Sequence, residues 1–330
     1  MKSSDKAEEE LRQTLAQWRP LRISDAESLH QLISRIEMKD NPPYRTTIGE
    51  VRGWLQDTEK TRGRIGIAAE GPRKSEPICY AIVTLSDNSR ECRARGGVCP
   101  DYRGLGVGGA VVSWQVEQGT TLLRDVTGEG GRILTQVAGE QNELQVHLTR
   151  MGFSWARSSY ELRRELSDLP LMPQLGTYYS VELWSQEWDH AARRLYARLL
   201  EEQWSLPGQA NDEWSIGMEA FRPEWSFVAL DKTGDRPSLV GFVRVSAYPE
   251  DWEALGWSEG YIDLLGVEEF PGSHAISQAL VIASMDSQAA SGMRKVATGV
   301  GVASNAGALS FYEELGFNRS FQTRTYSYSV

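Results

Sequence analysis

The chain has 330 residues, 40% of them apolar and 24% charged, with 31 glycines and 13 prolines. This composition belongs to a globular chain and excludes collagen-like, coiled-coil and wholly disordered architectures. No run approaches the roughly 18 apolar residues of a membrane span, and Met1–Glu10 are polar and acidic, unlike a secretory signal.

The formal net charge is −10, from 35 basic and 45 acidic side chains. Phosphate backbones demand basic surface, so nucleic acid is not expected as a partner, and neither is a membrane. The charge is uneven: residues 1–165 carry 24 basic and 23 acidic groups, residues 166–330 carry 11 and 22. A polyanionic ligand would favour the first half. Cys79, Cys92 and Cys99 fit no zinc spacing, and their odd number argues against a disulfide scaffold, so a reducing, cytoplasmic setting is expected. His30, His147, His190 and His274 are scattered, and no metal site is expected.

In chain order, residues 1–18 read as a charged helical arm and Leu21–Ile23 as a first strand. Ser24 or Asp25 can cap a helix through Ile36, with Leu29, Leu32, Ile33 and Ile36 on one face, stopped by Asn41-Pro42-Pro43. A short helix covers Ile48–Asp57. Strands follow at Arg64–Glu70, Pro77–Leu85 and Glu91–Cys99, then a glycine-rich loop and a helix through Glu117. A strand at Arg132–Ala138, a helix at Asn142–Met151 and a strand at Trp155–Leu162 complete an α/β unit. After a linker at 167–176, the order repeats: strand Tyr178–Leu183, helix Asp189–Glu201, strands Trp225–Leu230, Ser238–Ala247 and Gly260–Val267, loop and helix Pro271–Ala290, strand Lys295–Val302, helix Ala306–Leu315, strand Ser320–Val330. Val267–Leu280 aligns without gaps on Val98–Val111, and Gly316-Phe317 on Gly152-Phe153, which makes an internal repeat of about 165 residues. The expected organisation is an arm (1–18), an N-terminal domain (19–166), a linker (167–176) and a C-terminal domain (177–330).

The loop Arg103-Gly104-Leu105-Gly106-Val107-Gly108 lies between a strand and a helix. Its glycines let backbone N–H groups approach an anion, and the helix points its N-terminus at the same place. No Gly-Lys-Ser/Thr follows, so this is no P-loop. A dinucleotide fingerprint would open an early βαβ unit rather than follow a meander of strands. A tight turn before a packed helix is the plain alternative.

Val98-x-Pro100-x-x-Arg103-Gly104-x-Gly106-x-Gly108-x-Ala110 resembles motif A of the GCN5-related N-acetyltransferases, the GNAT superfamily. The resemblance implies an α/β protein of two tandem GNAT folds, each a mixed, mostly antiparallel central sheet flanked by helices. It implies acetyl-CoA as cofactor, with its pyrophosphate on the loop and its pantetheine beside a splayed strand. The cofactor-binding residues would be Gly97, Val98, Cys99, Arg103, Gly104, Leu105, Gly106, Val107, Gly108, Gly109 and Asn142. Asn305-x-x-Ala308-x-x-x-Tyr312-x-x-x-Gly316-Phe317 resembles motif B, whose Tyr commonly protonates the departing thiolate and whose Asn positions cofactor or substrate. The organisation is similar to actinobacterial tandem acetyltransferases such as mycothiol synthase and the tandem protein of the clavulanic-acid pathway. The implied activity is acetyl transfer to the amine of a small molecule, with antibiotic biosynthesis as one setting, by a monomer or homodimer. The alternative is a non-catalytic acetyl-CoA-binding regulatory or scaffold protein.

Each half departs from the pattern. In the second, Gly272, Ser273, Ala275 and Ser277 stand where Arg103, Gly104, Gly106 and Gly108 stand, and Glu268 and Glu269 precede them. In the first, Leu148 stands opposite Tyr312 and Gln141 opposite Asn305; His147, one position from the absent tyrosine, is either an acid or, on the plainer reading, a solvent-facing helical residue. General-base candidates are Glu91 and Glu70 in the first half, Asp263 and Glu259 in the second. Trp204, Trp214, Trp225, Trp252 and Trp257 line an acceptor pocket or pack a second core.

Overall fold

The computed structural model describes residues 18–60, 64–67, 76–86, 90–128, 130–139, 141–204, 214, 219–301 and 306–330. The expected arm, but for Trp18, and the tail of the expected strand at 68–70 lie outside them. Two compact units emerge. One holds the described residues up to Ser158 together with Gln322–Val330, and the other is Ser159–Phe321.

The first unit opens with α1 (Ala26–Asp40) and α2 (Ile48–Lys60). Leu29, Leu32 and Ile33 of α1 are buried at helical spacing. Asn41, at φ 46°, closes the helix with its N–H on the Glu37 carbonyl, 2.7 Å away. The strand expected at Leu21–Ile23 is not formed. Asp25 accepts the Arg22 N–H at 2.7 Å and the Arg19 guanidinium at 2.9 and 3.0 Å, which turns Ile23–Asp25 into a single 3-10 turn leading into α1. Then come β1 (Arg64–Ile67), β2 (Cys79–Leu85), β3 (Glu91–Val98), α3 (Val107–Thr127), β4 (Arg132–Ala138), α4 (Asn142–Arg150) and β5 (Ser154–Glu165). β1, β2 and β3 pair antiparallel in succession, and β3 pairs parallel with β4.

The second unit follows the same plan. It contains β6 (Tyr179–Leu183), α5 (Asp189–Trp204), β7 (Phe227–Asp231), β8 (Ser238–Ala247), α6 (Pro249–Leu255), β9 (Glu259–Val267), α7 (Ser273–Ala290), β10 (Lys295–Gly301) and α8 (Ala306–Glu314). Strands β6 to β9 pair antiparallel in succession and β9 pairs parallel with β10. Helix α6 was not anticipated, although Pro249 in its first turn and a left-handed Gly256 after its last are ordinary start and stop signals.

The last strand of each unit comes from the other half of the sequence. In the first unit, β4 pairs antiparallel with Thr323–Ser329 of β11 (Asn318–Ser329). In the second, β10 pairs antiparallel with Ser159–Glu165 of β5. The unit boundaries therefore fall inside β5 and β11, not at 166 and 177. Leu162 and Leu166 belong to the core of the second unit with Val243, Val245, Ile262, Leu280 and Val296, and Tyr326 and Tyr328 to that of the first with Ile133, Val137, Leu148 and Phe153. The segment 167–176 has no helix or strand, and its Leu169 and Leu175 pack on the second core.

One ion pair pins β5. Arg163 and Glu259 are only 8% and 7% exposed, with nitrogen–oxygen distances of 2.9 to 3.2 Å. Arg163 also donates to Ser320 Oγ at 2.6 Å, and Trp257 Nε1 donates to Glu259 at 2.7 Å. Removing one partner strands the other charge away from water. Arg163→Ala is expected to cost about 3–5 kcal/mol, seen as a lowered urea midpoint. Replacing both partners by apolar residues of similar volume should cost far less.

Candidate functional site

The parallel ladders of both units stop early. β3 and β4 are paired from Glu91↔Arg132 to Ala94↔Thr135, although β3 runs on to Val98 and β4 to Ala138. β9 and β10 are paired from Glu259↔Lys295 to Ile262↔Thr298, although both continue. Four pairs and then an opening is thus the common rule. Backbone polar groups beyond the opening need other partners, and Gln115 Nε2 supplies one, donating to the Arg95 carbonyl at 2.6 Å. Gly96 and Gly97 sit on this free stretch. A Cβ at Gly97 would lie 2.7 Å from Ile36 Cδ1, and one at Gly96 2.7 Å from Gln115 Nε2, so close approach of α1 and α3 accounts for both.

The glycine loop follows directly. Pro100–Tyr102 form a 3-10 turn, and Gly104 and Gly106 take φ of 75° and 84°, the left-handed region where a side chain costs about 1–2 kcal/mol. A Cβ built at Gly104, Gly106 or Gly108 meets nothing within 4 Å, so the space over the loop is open. The N–H groups of Val107, Gly108 and Gly109 precede the first helical bond, from the Ala110 N–H to the Gly106 carbonyl. Free N–H groups at a helix N-terminus, with the helix dipole, favour negative charge beside them. Arg103 braces the loop. Its guanidinium makes a two-pronged bond to Asp40, the last residue of α1, at 2.6 and 2.9 Å, and its Nε donates to the Val98 carbonyl at 3.2 Å. Cys99 is buried, its N–H bonded to the Ile78 carbonyl, whereas Leu105 is exposed.

In the second unit the loop is gone. Gly272 takes φ 105°, and α7 begins at once, so that Ser273, His274 and Ala275 form its first turn where the first unit has Gly104, Leu105 and Gly106. Cβ atoms on Ser273 and Ala275 favour helix over the left-handed turn.

The remaining sequence candidates scatter. Glu91 stands at the closed end of β3, paired with Arg132 and away from the opening. Glu259 is held by Arg163 and Trp257. Asn142 is an exposed first residue of α4, and its neighbour Gln141 reaches Asp40 Oδ2 at 3.5 Å. Asn305 and Glu70 lie outside the described residues. Trp214 and Trp225 are core residues, and the Trp252 indole donates to the Glu259 carbonyl. His147 is half-buried rather than solvent-facing. Its ring lies 3.5 Å from a Cβ built on Gly109, and its Nε2 is buried with no hydrogen-bond partner among the described residues.

Asp263 and Tyr312 both stand at the opening of the second unit. Asp263 follows Ile262, the last paired residue of β9, and accepts from Ser246 Oγ and from the Tyr248 hydroxyl at 3.0 Å. Burial pushes its carboxyl up, against those hydrogen bonds and the Arg244 charge. Tyr312 is buried and hydrogen-bonded to Thr298, the partner of Ile262, and burial pushes its phenol up to about 12. Sequence reading missed Glu161. It pairs with Gly299, one residue past the ladder, and accepts from Tyr261 at 3.1 Å. Burial raises its carboxyl too, opposed by Arg163 and the Tyr261 hydrogen bond. Nothing local in the sequence announces that this residue belongs to the second unit. Among the described residues no group of three His, Cys, Asp or Glu could hold a metal ion, and no helix is long and apolar enough to cross a membrane.

Residues 190–317 match the model of the acetyltransferase (GNAT) family. No curated protein matches the chain. A GCN5-related N-acetyltransferase from Sphaerobacter thermophilus aligns over 95% of this chain and 95% of its own, at 19% identity and a TM-score of 0.68. A tandem GNAT protein from the clavulanic acid biosynthesis pathway aligns over 95% and 98%, at 15% identity and 0.68. A glucosamine N-acetyltransferase region of a fungal multi-domain β-N-acetylglucosaminidase aligns over 94% of this chain and 38% of its own, at 14% and 0.65. At such identities the likeness is one of fold. The chain has the tandem GNAT architecture, mixed and largely antiparallel sheet flanked by helices.

The raised carboxyls carry a sign. Asp263 and Glu161 hold protons in the fold at a pH where the unfolded chain has lost them. Their contribution to stability is full below the ordinary carboxylate range and is lost as pH rises through their folded values. Asp263→Asn should flatten this decline in urea unfolding measured across a pH series. An unchanged slope would show that Asp263 is not the titrating group.

Proposed function

We propose that the chain is an acyl-CoA-dependent N-acetyltransferase, moving an acetyl group from acetyl-CoA to the amine of a small molecule, with the cofactor held in the first unit. The observation that carries this reading is the opening of the β3–β4 ladder beside an uncrowded, left-handed glycine loop at a helix N-terminus. The amides of Val107, Gly108 and Gly109 would hold the diphosphate, with Arg103 keeping the loop in shape from Asp40 and Val98. When bound, acetyl-CoA supplies an acetyl group activated as a thioester. The stretch of β3 beyond Ala94, paired with β2 but not with β4, would align the pantetheine chain and offer an N–H to the acetyl carbonyl.

The second unit has the complementary equipment. Asp263, its carboxyl raised by burial and hydrogen-bonded to Tyr248, would be its proton acceptor. Tyr312 is a proton donor one strand away, bonded to Thr298. Its first helical turn in place of the loop makes it the weaker anion site.

Leu148 in the first unit favours a second reading, acetyl-CoA binding without turnover. Native mass spectrometry of the full chain with acetyl-CoA, followed by a free-thiol assay over a panel of amines, separates the two. One adduct per chain with amine-dependent thiol release is expected. Gly106→Ala should cost the fold about 1–2 kcal/mol yet remove most of the adduct, because its methyl enters the space over the loop. Retention of the adduct in Gly106→Ala and in Arg103→Ala would rule out this cradle.

A further inference from the structure

The two units differ by a paired exchange of one tyrosine and one leucine. Leu148 and Tyr312 each stand four residues before the glycine of the shared Gly-Phe step, and Leu162 and Tyr326 each stand ten after it. Where the second unit has tyrosine on the helix and leucine on the exchanged strand, the first has leucine on the helix and tyrosine on the strand.

The register gives this exchange a location. Leu162 pairs with Thr298 and Tyr326 with Thr135, and these threonines are the last residues of β10 and β4 before each ladder opens. Directly opposed residues hold their Cβ atoms about 4.5–5.5 Å apart. Tyr312 reaches the same spot in its own unit by hydrogen-bonding Thr298. Leu148, Leu162, Tyr312 and Tyr326 are all buried, none more than 6% exposed. One tyrosine therefore stands beside the threonine at which each ladder parts, from α8 in the second unit and from β11 in the first.

The surroundings of Tyr326 are those of a hydroxyl with weak local demands. It donates to Gln145 Oε1 at 3.3 Å, an oxygen that already takes Arg324 Nη1 at 2.7 Å. Gln145 Nε2 is buried with no partner among the described residues, which marks the same spot as polar and incompletely satisfied.

We propose that Tyr326 is the proton donor to the departing sulfur in the first unit, the role Leu148 cannot fill. The inference rests on acetyl-CoA occupying the Gly104–Gly109 loop. As the amine nitrogen bonds to the acetyl carbon, the carbon–sulfur bond breaks and sulfur leaves with the bonding pair. Sulfur takes the Tyr326 proton and departs as the thiol. The acceptor, entering as an ammonium, sheds two protons; one restores the phenol and the other passes to solvent.

The test uses the full chain in a Tyr312→Phe background, which removes the phenol of the second unit. Affinities for CoA and desulfo-CoA are measured beside thiol release from acetyl-CoA. The background protein should bind CoA about two- to tenfold more tightly than desulfo-CoA, the range of one neutral hydrogen bond. Tyr326→Phe should abolish that preference, leave desulfo-CoA affinity in place, and slow thiol release at least about tenfold. Leu148→Tyr with Tyr326→Leu, which moves the phenol onto the helix as in the second unit, should restore both. If Tyr326→Phe keeps both the CoA preference and the rate, the proposal falls while the binding reading stands. If the background protein takes up no CoA in native mass spectrometry, both fall.

Discussion

A charge pair almost wholly withdrawn from water holds only in good geometry. Arg163 and Glu259 form such a pair, and it fixes β5 in the second unit at one register. A slip by one residue would turn Arg163 to the opposite face of the strand and Leu162 out of the core. With the register set, Glu161 lies beside Tyr261 and Leu162 opposite Thr298. The placement of Glu161 and Leu162 at that opening thus depends on an ion pair between β5 and β9.

The openings follow a shared construction with different fillings. Each parallel ladder keeps four pairs and then parts. In the first unit the strand end is thinned to Gly96-Gly97, so that Ile36, Tyr80 and Gln115 can press close, and the next turn is built on left-handed glycines. In the second, acidic and phenolic side chains gather at the opening, and a helical turn replaces the loop. A glycine-built turn and a cluster of acidic and phenolic side chains are thus distributed unequally between two copies of one fold.

Much of this was legible in the sequence. The glycine spacing announced the loop, and the helical periodicity of Leu29, Leu32 and Ile33 announced α1. Aligning Gly152-Phe153 with Gly316-Phe317 placed Leu148 opposite Tyr312. The exchange of β5 and β11 was not legible, because a strand reads the same in sequence whichever unit it joins. The domain boundaries and the placement of Glu161 failed for that one reason. Other misses were local. Asp25 drew Leu21–Ile23 out of a strand by bonding Arg19 and Arg22. Asp40, far from Arg103 in sequence, took the guanidinium that the motif resemblance offered to the cofactor. His147 turned inward against Gly109, which helical periodicity could not foresee without knowing where α3 lies.

The exchange also orders events in time. During synthesis the first unit can collapse around β1 to β4, but the strand that pairs with β4 begins at Thr323, after the whole second unit has been made. Domains usually fold as they emerge, N-terminal first. Here the earlier unit keeps an open edge at β4 until the later one is nearly complete. Contacts of such long sequence separation slow folding, and an unpaired edge invites the wrong strand. The nascent chain is therefore most exposed to misassembly just before Thr323–Ser329 are made.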